Sequence, residues 1–321
     1  MTTKHALAFY KFTPVPDPAA EQVRWQTWGA ETELKGTILV AAEGVNGTLI
    51  GSREELEHFQ GQFGTHFGAM SFKWSAVDPD NKGFFRFKVK LKKEIVTFGV
   101  DGLDLQDNGE HVGAETWNEL LADPTVVVID TRNLYEVDIG TFPGAISPET
   151  TNFREFPQWV EQNLDQQQHP KVAMFCTGGI RCEKASAYLK GQGFEDVYQL
   201  DGGILQYLED VPIDDNRWEG ECFVFDQRVS VDSRLQQGTY QQCFACRHPI
   251  TAEDLVSPLY EQGVQCPNCA DPNAADTKQR ERFRERQKQI ELARSRGQQH
   301  IGLDQKDQKD QKDQKKRKVS K

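Results

Sequence analysis

The sequence predicts an α/β protein built around a doubly wound parallel sheet, with an α+β unit before it and a small cysteine-rich module after it. Three observations carry this. Within residues 113–212 three short apolar runs, TVVVID, KVAMF and DVYQL, alternate with helix patterns in ETWNELLA, FREFPQWVEQNL and RCEKASAYLKGQ. Strands alternating with helices imply a parallel sheet covered on both faces. Residues 5–95 also alternate strand and helix, in the order β-α-β-β-α-β, and two CxxC pairs follow the apolar runs in a loop-rich stretch. At 321 residues the chain is too long for one compact core.

The first unit spans residues 1–98. HALAFYKF is its first strand, and after Pro14, Pro16 and Pro18 the run AAEQVRWQTWGAETELKG has helical periodicity with a Gly stop. TILVAAEGVNGTLIG holds two strands joined by a turn at Glu43–Gly44 or Asn46–Gly47. Ser52 and Glu55 have the spacing of a capping box ahead of the helix in SREELEHFQGQF. MSFKW and FRFKVKLKKEIV complete the order of a ferredoxin-like split unit. In the last strand Phe85, Phe87, Val89 and Leu91 share one face, and Arg86, Lys88, Lys90 and Lys92 form a cationic ladder on the other.

Residues 99–112, rich in Gly and Asp, read as a linker to the doubly wound domain at 113–212. Residues 213–275 form the cysteine-rich module. Residues 276–321 comprise the polar helix KQRERFRERQKQIELARSR and a low-complexity basic tail ending in KKRKV.

The net charge is −11, yet residues 278–321 hold 16 Lys and Arg against 7 Asp and Glu. A second basic stretch gathers Lys73, Lys82, Arg86, Lys88, Lys90, Lys92 and Lys93 against Asp78, Asp80 and Glu94. This asymmetry allows an anionic partner to dock locally despite the negative total, although both stretches also suit a solvated surface. No apolar run approaches a membrane span, and MTTKHALAFYKFTPVPDP lacks a signal-peptide pattern, so the expected location is the cytoplasm with no membrane partner. Seven cysteines, an odd count in a long chain, argue against a secreted disulfide framework.

KVAMF runs directly into Cys176, Thr177, Gly178, Gly179, Ile180 and Arg181, and a helix follows. A cysteine at the end of a buried strand, before a Gly-rich turn and a helix start, sits in a nest of backbone N–H groups. The helix N-terminus adds positive potential, so the thiolate is stabilised and becomes the nucleophile. Arg181 places a fixed positive charge at the end of the loop. The competing reading of Cys176 is an inert core cysteine. Cys182 either faces the core from the first helical turn or acts as a resolving thiol. A Cys-based phosphatase would use C-x₅-R; the shorter C-x₄-R here makes a smaller nest, suited to sulfur rather than a phosphoryl group.

On the segments VVVIDTRNLYEVDIGTFPGAI, MFCTGGIRCEKASAYL and VYQLDGGI the chain resembles the rhodanese superfamily. Asp130, Arg132, Glu136, Gly144, Ala145, Gly202 and Gly203 match that pattern in order. The resemblance implies a rhodanese-type sheet, a catalytic role for Cys176 with Arg181, and supporting roles for Asp130, Arg132 and Glu136.

Cys243-x-x-Cys246 and Cys266-x-x-Cys269 suit a tetrahedral zinc site in a segment too small to bury a core of its own. Four reduced thiols and a redox pair are the alternatives. Cys222, in the strand-like run GECFVFDQRV, reads as a core residue.

Taken in order, EGVNGT, the thiolate loop, DGGILQYLE and the double CxxC resemble the TrhO family of rhodanese-containing tRNA uridine hydroxylases, over about residues 5–270. The resemblance implies oxygen-dependent hydroxylation of the wobble uridine to 5-hydroxyuridine, with molecular oxygen as co-substrate and the tRNA anticodon loop as partner. The ladder Arg86, Lys88, Lys90 and Lys92 then becomes the expected RNA-binding surface, with Lys73 and Trp74 as neighbours. The sequence has no flavin or nicotinamide fingerprint, and its seven histidines show no metal spacing. Cys176 is therefore expected either to add to C6 of uracil or to carry oxygen or sulfur as a sulfenate or persulfide. A sulfurtransferase and a non-catalytic tRNA-binding module are the alternative functions.

Overall fold

The computed structural model describes residues 4–77, 84, 86–270 and 278–296. Asp78, Asp80, Lys82, Phe85 and the tail beyond residue 296 lie outside the described residues. The chain divides into two compact units, Met1–Tyr240 and Gln241–Lys321.

The first unit opens with β1 (Lys4–Phe12), α1 (Pro18–Ala30), β2 (Lys35–Ala41), β3 (Gly44–Ser52), α2 (Arg53–Phe67), β4 (Phe72–Val77) and β5 (Phe87–Leu91). The sheet order is β4-β1-β3-β2-β5. The first four strands pair antiparallel, and β5 joins the free edge of β2 in parallel. This is the expected ferredoxin-like unit with one extra edge strand. Strand alternation sends Leu7, Phe9, Ile38, Val40, Val45 and Leu49 into a core with Trp25, Phe59 and Phe63 of the two helices. The opposite face is mixed: Lys73, Ala8, Thr48, Thr37 and Lys88 form one row across it, beside Tyr10, Asn46 and Leu39.

Helix α2 begins on the predicted capping box, the Glu55 N–H donating to Ser52 Oγ and the Ser52 N–H to the Glu55 carboxylate. Helix α1 ends at Ala30 rather than at Gly36: Leu34 drops into the core, and the residues from Lys35 onward pair with β3. The β2–β3 turn lies at Ala42–Glu43, next to the first of the two expected positions, since Ala41 pairs with Gly44 and Asn46–Gly47 is inside β3. In β5 Val89 is buried and Lys88 and Lys90 are exposed, as the alternation requires; Leu91, the last residue of the strand, is exposed too.

The central domain follows with β6 (Glu110–Val112), α3 (Ala114–Ala122), β7 (Val126–Asp130), α4 (Leu134–Val137), β8 (Gly140–Thr141), α5 (Phe156–Asn163), β9 (Lys171–Phe175), α6 (Ile180–Gly191), β10 (Asp196–Leu200) and α7 (Gly203–Asp210). Its four-stranded sheet, β6-β10-β9-β7, is parallel throughout. One face is covered by α5 and α6, the other by α3 and α7, so the sheet is doubly wound as predicted.

Two boundaries move. Residues 99–112, read as a linker, supply the edge strand β6, and Val100 and Leu103 pack against the same core as Phe98. Three residues are too few for strand alternation to show in sequence. Residues 213–240, read as the start of the cysteine-rich module, belong to the first unit. Strand β11 (Glu219–Gly220) pairs with β8, and β12 (Cys222–Phe223) forms a hairpin with β13 (Ser230–Val231). Trp218, Cys222, Val224 and Val231 are buried with Phe142 and Phe175, so Cys222 is the core residue it was read to be, and burial pushes its thiol up to about 12.

In the second unit, β14 (Gln241–Gln242) pairs with β15 (Pro249–Ile250), and two helices follow, α8 (Ala252–Val256) and α9 (Lys278–Ser295). Helix α9 is the expected polar helix. Among the described residues no helix is long and apolar enough to cross a membrane.

Candidate active site

Strand β9 delivers Cys176 to the C-terminal edge of the sheet, the position at which parallel α/β folds place their ligands. The Cys176 side chain is 1% exposed. The Gly179 N–H donates to its sulfur at 3.1 Å, and the N–H groups of Arg181 and Gly178 also favour the anion. Burial acts to raise the Cys176 pKa. The Cys182 thiol, the Arg181 guanidinium and these N–H groups outweigh it and hold the pKa below the ordinary thiol range.

Two glycines make the loop possible. Gly179 has φ +95°, and a Cβ there would lie 2.8 Å from Tyr10 Oη. Gly203 has φ +67°, and a Cβ there would lie 2.4 Å from the Cys176 carbonyl oxygen. The close approach lets the start of α7 bond the loop, with Ile204 N–H donating to Cys176 O at 3.0 Å and Leu205 N–H to Thr177 O at 3.1 Å.

Arg181 is buried and makes a bidentate pair with Glu136, at 2.6 and 2.8 Å. Its charge favours the thiolate but is not a free cation at the end of the loop. Glu136 is in turn placed by Arg132, whose guanidinium donates to Glu136 O, Gly140 O and both oxygens of Asp130. Asp130, Arg132 and Glu136 are all fully buried, so the three supporting residues form one network behind the loop. Thr177 Oγ1 lies 3.4 Å from Glu136 Oε2 and points away from solvent. Cys182 faces the core, its sulfur 3.7 Å from Thr131 Oγ1, and burial raises its pKa, helped by the neighbouring Cys176.

The thiolate loop faces the N-terminal domain. The outer face of the N-terminal sheet covers it and leaves a partly open cavity of about 540 Å³, within the range of about 300–1,000 Å³ usual for small-molecule sites. Cys176, Thr177, Gly178, Ile180 and Arg181 line it from the loop, and Tyr10, Lys73 and Lys90 from the sheet. Lys73 Nζ donates to Gly178 O at 3.2 Å and to Gly202 O. Burial lowers the Lys73 pKa to about 8, against the pull of nearby anions, Cys176 first among them. Tyr10 donates to Glu183 at 3.0 Å, and burial, then Glu183, raise its pKa.

All four residues of the expected ladder, Arg86, Lys88, Lys90 and Lys92, are exposed, and Lys90 also lines the cavity. Lys73, expected as a neighbour of the ladder, instead bonds the thiolate loop. Trp74 lines the cavity and carries the Arg53 guanidinium over its ring at 4.6 Å. Sequence reasoning missed the hairpin loop between β12 and β13, which adds Phe225, Asp226 and Arg228 to the lining. A signal was there: Asp226-x-Arg228 repeats the spacing of Asp130-x-Arg132. In both, the aspartate accepts from the backbone N–H and the Nε of the arginine.

In the second unit the four sulfurs of Cys243, Cys246, Cys266 and Cys269 lie within 4.8 Å of one another. The Cys246–Cys266 and Cys266–Cys269 sulfurs are 3.7 and 3.8 Å apart. A tetrahedron of Zn–S bonds of about 2.3 Å has edges of about 3.8 Å. The cluster has the donor set and the spacing to bind a metal such as zinc.

A family model for the UPF0176 acylphosphatase like domain matches residues 4–95, and one for the rhodanese-like domain matches residues 114–210. Among solved structures, a rhodanese-like domain from Anabaena sp. is 19% identical, covers 34% of this chain and 78% of its own, and has a TM-score of 0.28. A rhodanese-like domain protein from Staphylococcus aureus is 22% identical over 30% of this chain and 90% of its own, with a TM-score of 0.26. A protein from Rhodopseudomonas palustris, described as a possible tyrosine phosphatase, is 21% identical over 31% of this chain and 80% of its own, with a TM-score of 0.27.

Proposed function

Given that this chain has the UPF0176/TrhO architecture, an acylphosphatase-like domain followed by a rhodanese domain, we propose that it hydroxylates the wobble uridine of tRNA at C5, in the cytoplasm. The observation that carries this reading is the cavity itself. A stabilised thiolate lies on its floor, cationic side chains of a second domain line its roof, and its volume admits a nucleobase. The wobble base lies in a single-stranded loop and can be turned out without breaking a duplex.

The net reaction places one atom of dioxygen on C5 and releases the other as water, using two electrons and two protons from a reductant. The Cys176 thiolate adds to C6, which makes C5 the nucleophilic carbon of an enolate. After oxygen transfer, loss of the C5 proton and departure of the thiolate restore the pyrimidine. Lys90 and the exposed Arg86, Lys88 and Lys92 hold the phosphate backbone. The cysteine cluster of the second unit holds structural zinc.

A second reading, sulfur transfer through a persulfide on Cys176, is favoured by the small C-x₄-R nest, whose Gly179 N–H already donates to sulfur. Nucleoside mass spectrometry of tRNA separates the two. A deletion strain complemented with wild type should regain 5-hydroxyuridine, and one complemented with Cys176→Ser should not. Restoration by the Ser variant would sink the hydroxylase mechanism. Thiosulfate turnover without any change in 5-hydroxyuridine would favour sulfur transfer. In the same strain the variant Lys88→Glu/Lys90→Glu/Lys92→Glu should lower 5-hydroxyuridine, and its tRNA binding should depend less on salt; wild-type binding by this variant would remove the ladder from the docking surface.

A further inference from the structure

We infer that Phe225 is the surface on which the pyrimidine base stacks when it is presented to Cys176. The inference rests on the reading that a base of single-stranded RNA enters the cavity. It begins from an anomaly of burial. In the hairpin β12–β13, Val224, Asp226, Arg228, Val229 and Ser230 are all buried, whereas Phe225 is 59% exposed and lines the cavity.

The loop is built to hold that ring where it is. Asp226 accepts from the N–H of Arg228 at 2.9 Å and from its Nε at 3.0 Å. Arg228 Nη1 then donates to Ser75 Oγ at 2.8 Å and to Ala76 O at 3.1 Å, which fastens the loop to β4. Val229 closes the loop at φ +67°, a costly conformation for a β-branched residue. Such strain persists only where the surroundings over-determine it, and it gathers where a side chain must be aimed. The Phe225 ring is steadied by the edge of Phe223 at 5.2 Å and by the Arg181 guanidinium at 5.8 Å from its centre. The residue is otherwise largely exposed, and it lines the cavity. An apolar ring left largely exposed gains little from the fold, whereas a flat base laid on it strengthens binding by roughly 10- to 100-fold.

The test uses the full-length protein and an anticodon stem-loop RNA with a fluorescent 5-substituted uridine at the wobble position, a pyrimidine probe whose fluorescence falls when the base stacks on an aromatic ring. Wild type should quench the probe. Phe225→Leu keeps apolar bulk but lacks a π face, so quenching should vanish and affinity fall roughly 10-fold. Phe225→Tyr should retain both. Each variant should melt within about 2 °C of wild type, because the side chain is mostly exposed. Quenching by the Leu variant equal to wild type, or its loss in the Tyr variant, overturns the assignment. RNA that binds wild type without quenching overturns stacking but leaves the nucleic-acid reading standing, and RNA that does not bind at all removes both.

Discussion

Arg181 and Glu136 are buried against each other, so each charge depends on its partner. Removing one leaves the other uncompensated, at a cost of about 3–5 kcal/mol, whereas replacing both with apolar residues is often near neutral. Arg181→Leu and Glu136→Leu should each lower stability by about that amount in denaturant unfolding, and the double variant should recover most of it. Additive losses in the double variant would show that the two residues do not act as a pair. The double variant should not recover reactivity, because the guanidinium also favours the thiolate. A depressed thiol pKa means that the anion is present well below pH 9, the ordinary value. Its contribution to stability is complete above pH 9 and is lost as the pH falls through the folded value. Iodoacetamide alkylation of wild-type Cys176 should therefore already be fast near neutral pH, and its midpoint should move upward in the double variant. A wild-type rate that rises only near pH 9 would mean that the nest does not stabilise the sulfur. Cys176 and its loop were legible because six contiguous residues form the nest. Lys73 was legible only as a charge, since the carbonyl oxygens of Gly178 and Gly202 that define its role lie 105 and 129 positions away.

Helix α6 carries the thiolate loop at its start and ties the two domains together one turn later. Lys184, with 3% of its side chain exposed, bonds Glu43 at 2.8 Å and Glu94 at 2.7 Å, both from the N-terminal unit. Glu183 beside it accepts from Tyr10, and from Asn108 at 2.7 Å. Lys184→Met should lower stability by about 3 kcal/mol, since two carboxylates lose their cation. The pH dependence should change as well. Burial acts to raise the Glu94 pKa, but Lys184 and the N–H groups of Phe98 and Gly99 hold it below 4.5. That contribution is present above pH 4.5 and is lost as the pH falls through the folded value. The Lys184→Met variant should therefore begin acid unfolding at a higher pH than wild type, followed by circular dichroism; an unchanged acid limb would show that Lys184 is not what holds Glu94 ionised. The main strands and helices of both domains were legible from period and caps. The short strands β6, β8, β11 and β13 were not, because two or three residues cannot display a period and their pairing is set by partners elsewhere in the chain.

Among its described residues the second unit buries few apolar side chains beyond those around its four cysteines, so a bound metal should supply much of its folding energy. Purified protein should carry about one zinc per chain by elemental analysis. Cys266→Ser should release it and expose residues 241–270 to proteolysis, while the first unit keeps its melting transition. Metal-free protein that is equally protease-resistant would show that the thiols hold the unit together unaided. The cluster was legible from spacing alone, whereas the cavity was not, since it exists only where one domain's sheet covers the other domain's loop. That covering face bears on how the chain is made. The N-terminal sheet leaves the ribosome before the loop it will cover exists, and domains fold in the order of synthesis. A greasy lid would invite aggregation during the wait. The row of Lys73, Ala8, Thr48, Thr37 and Lys88 breaks up the apolar surface of this one, which helps the half-built protein to remain in solution until its thiolate arrives.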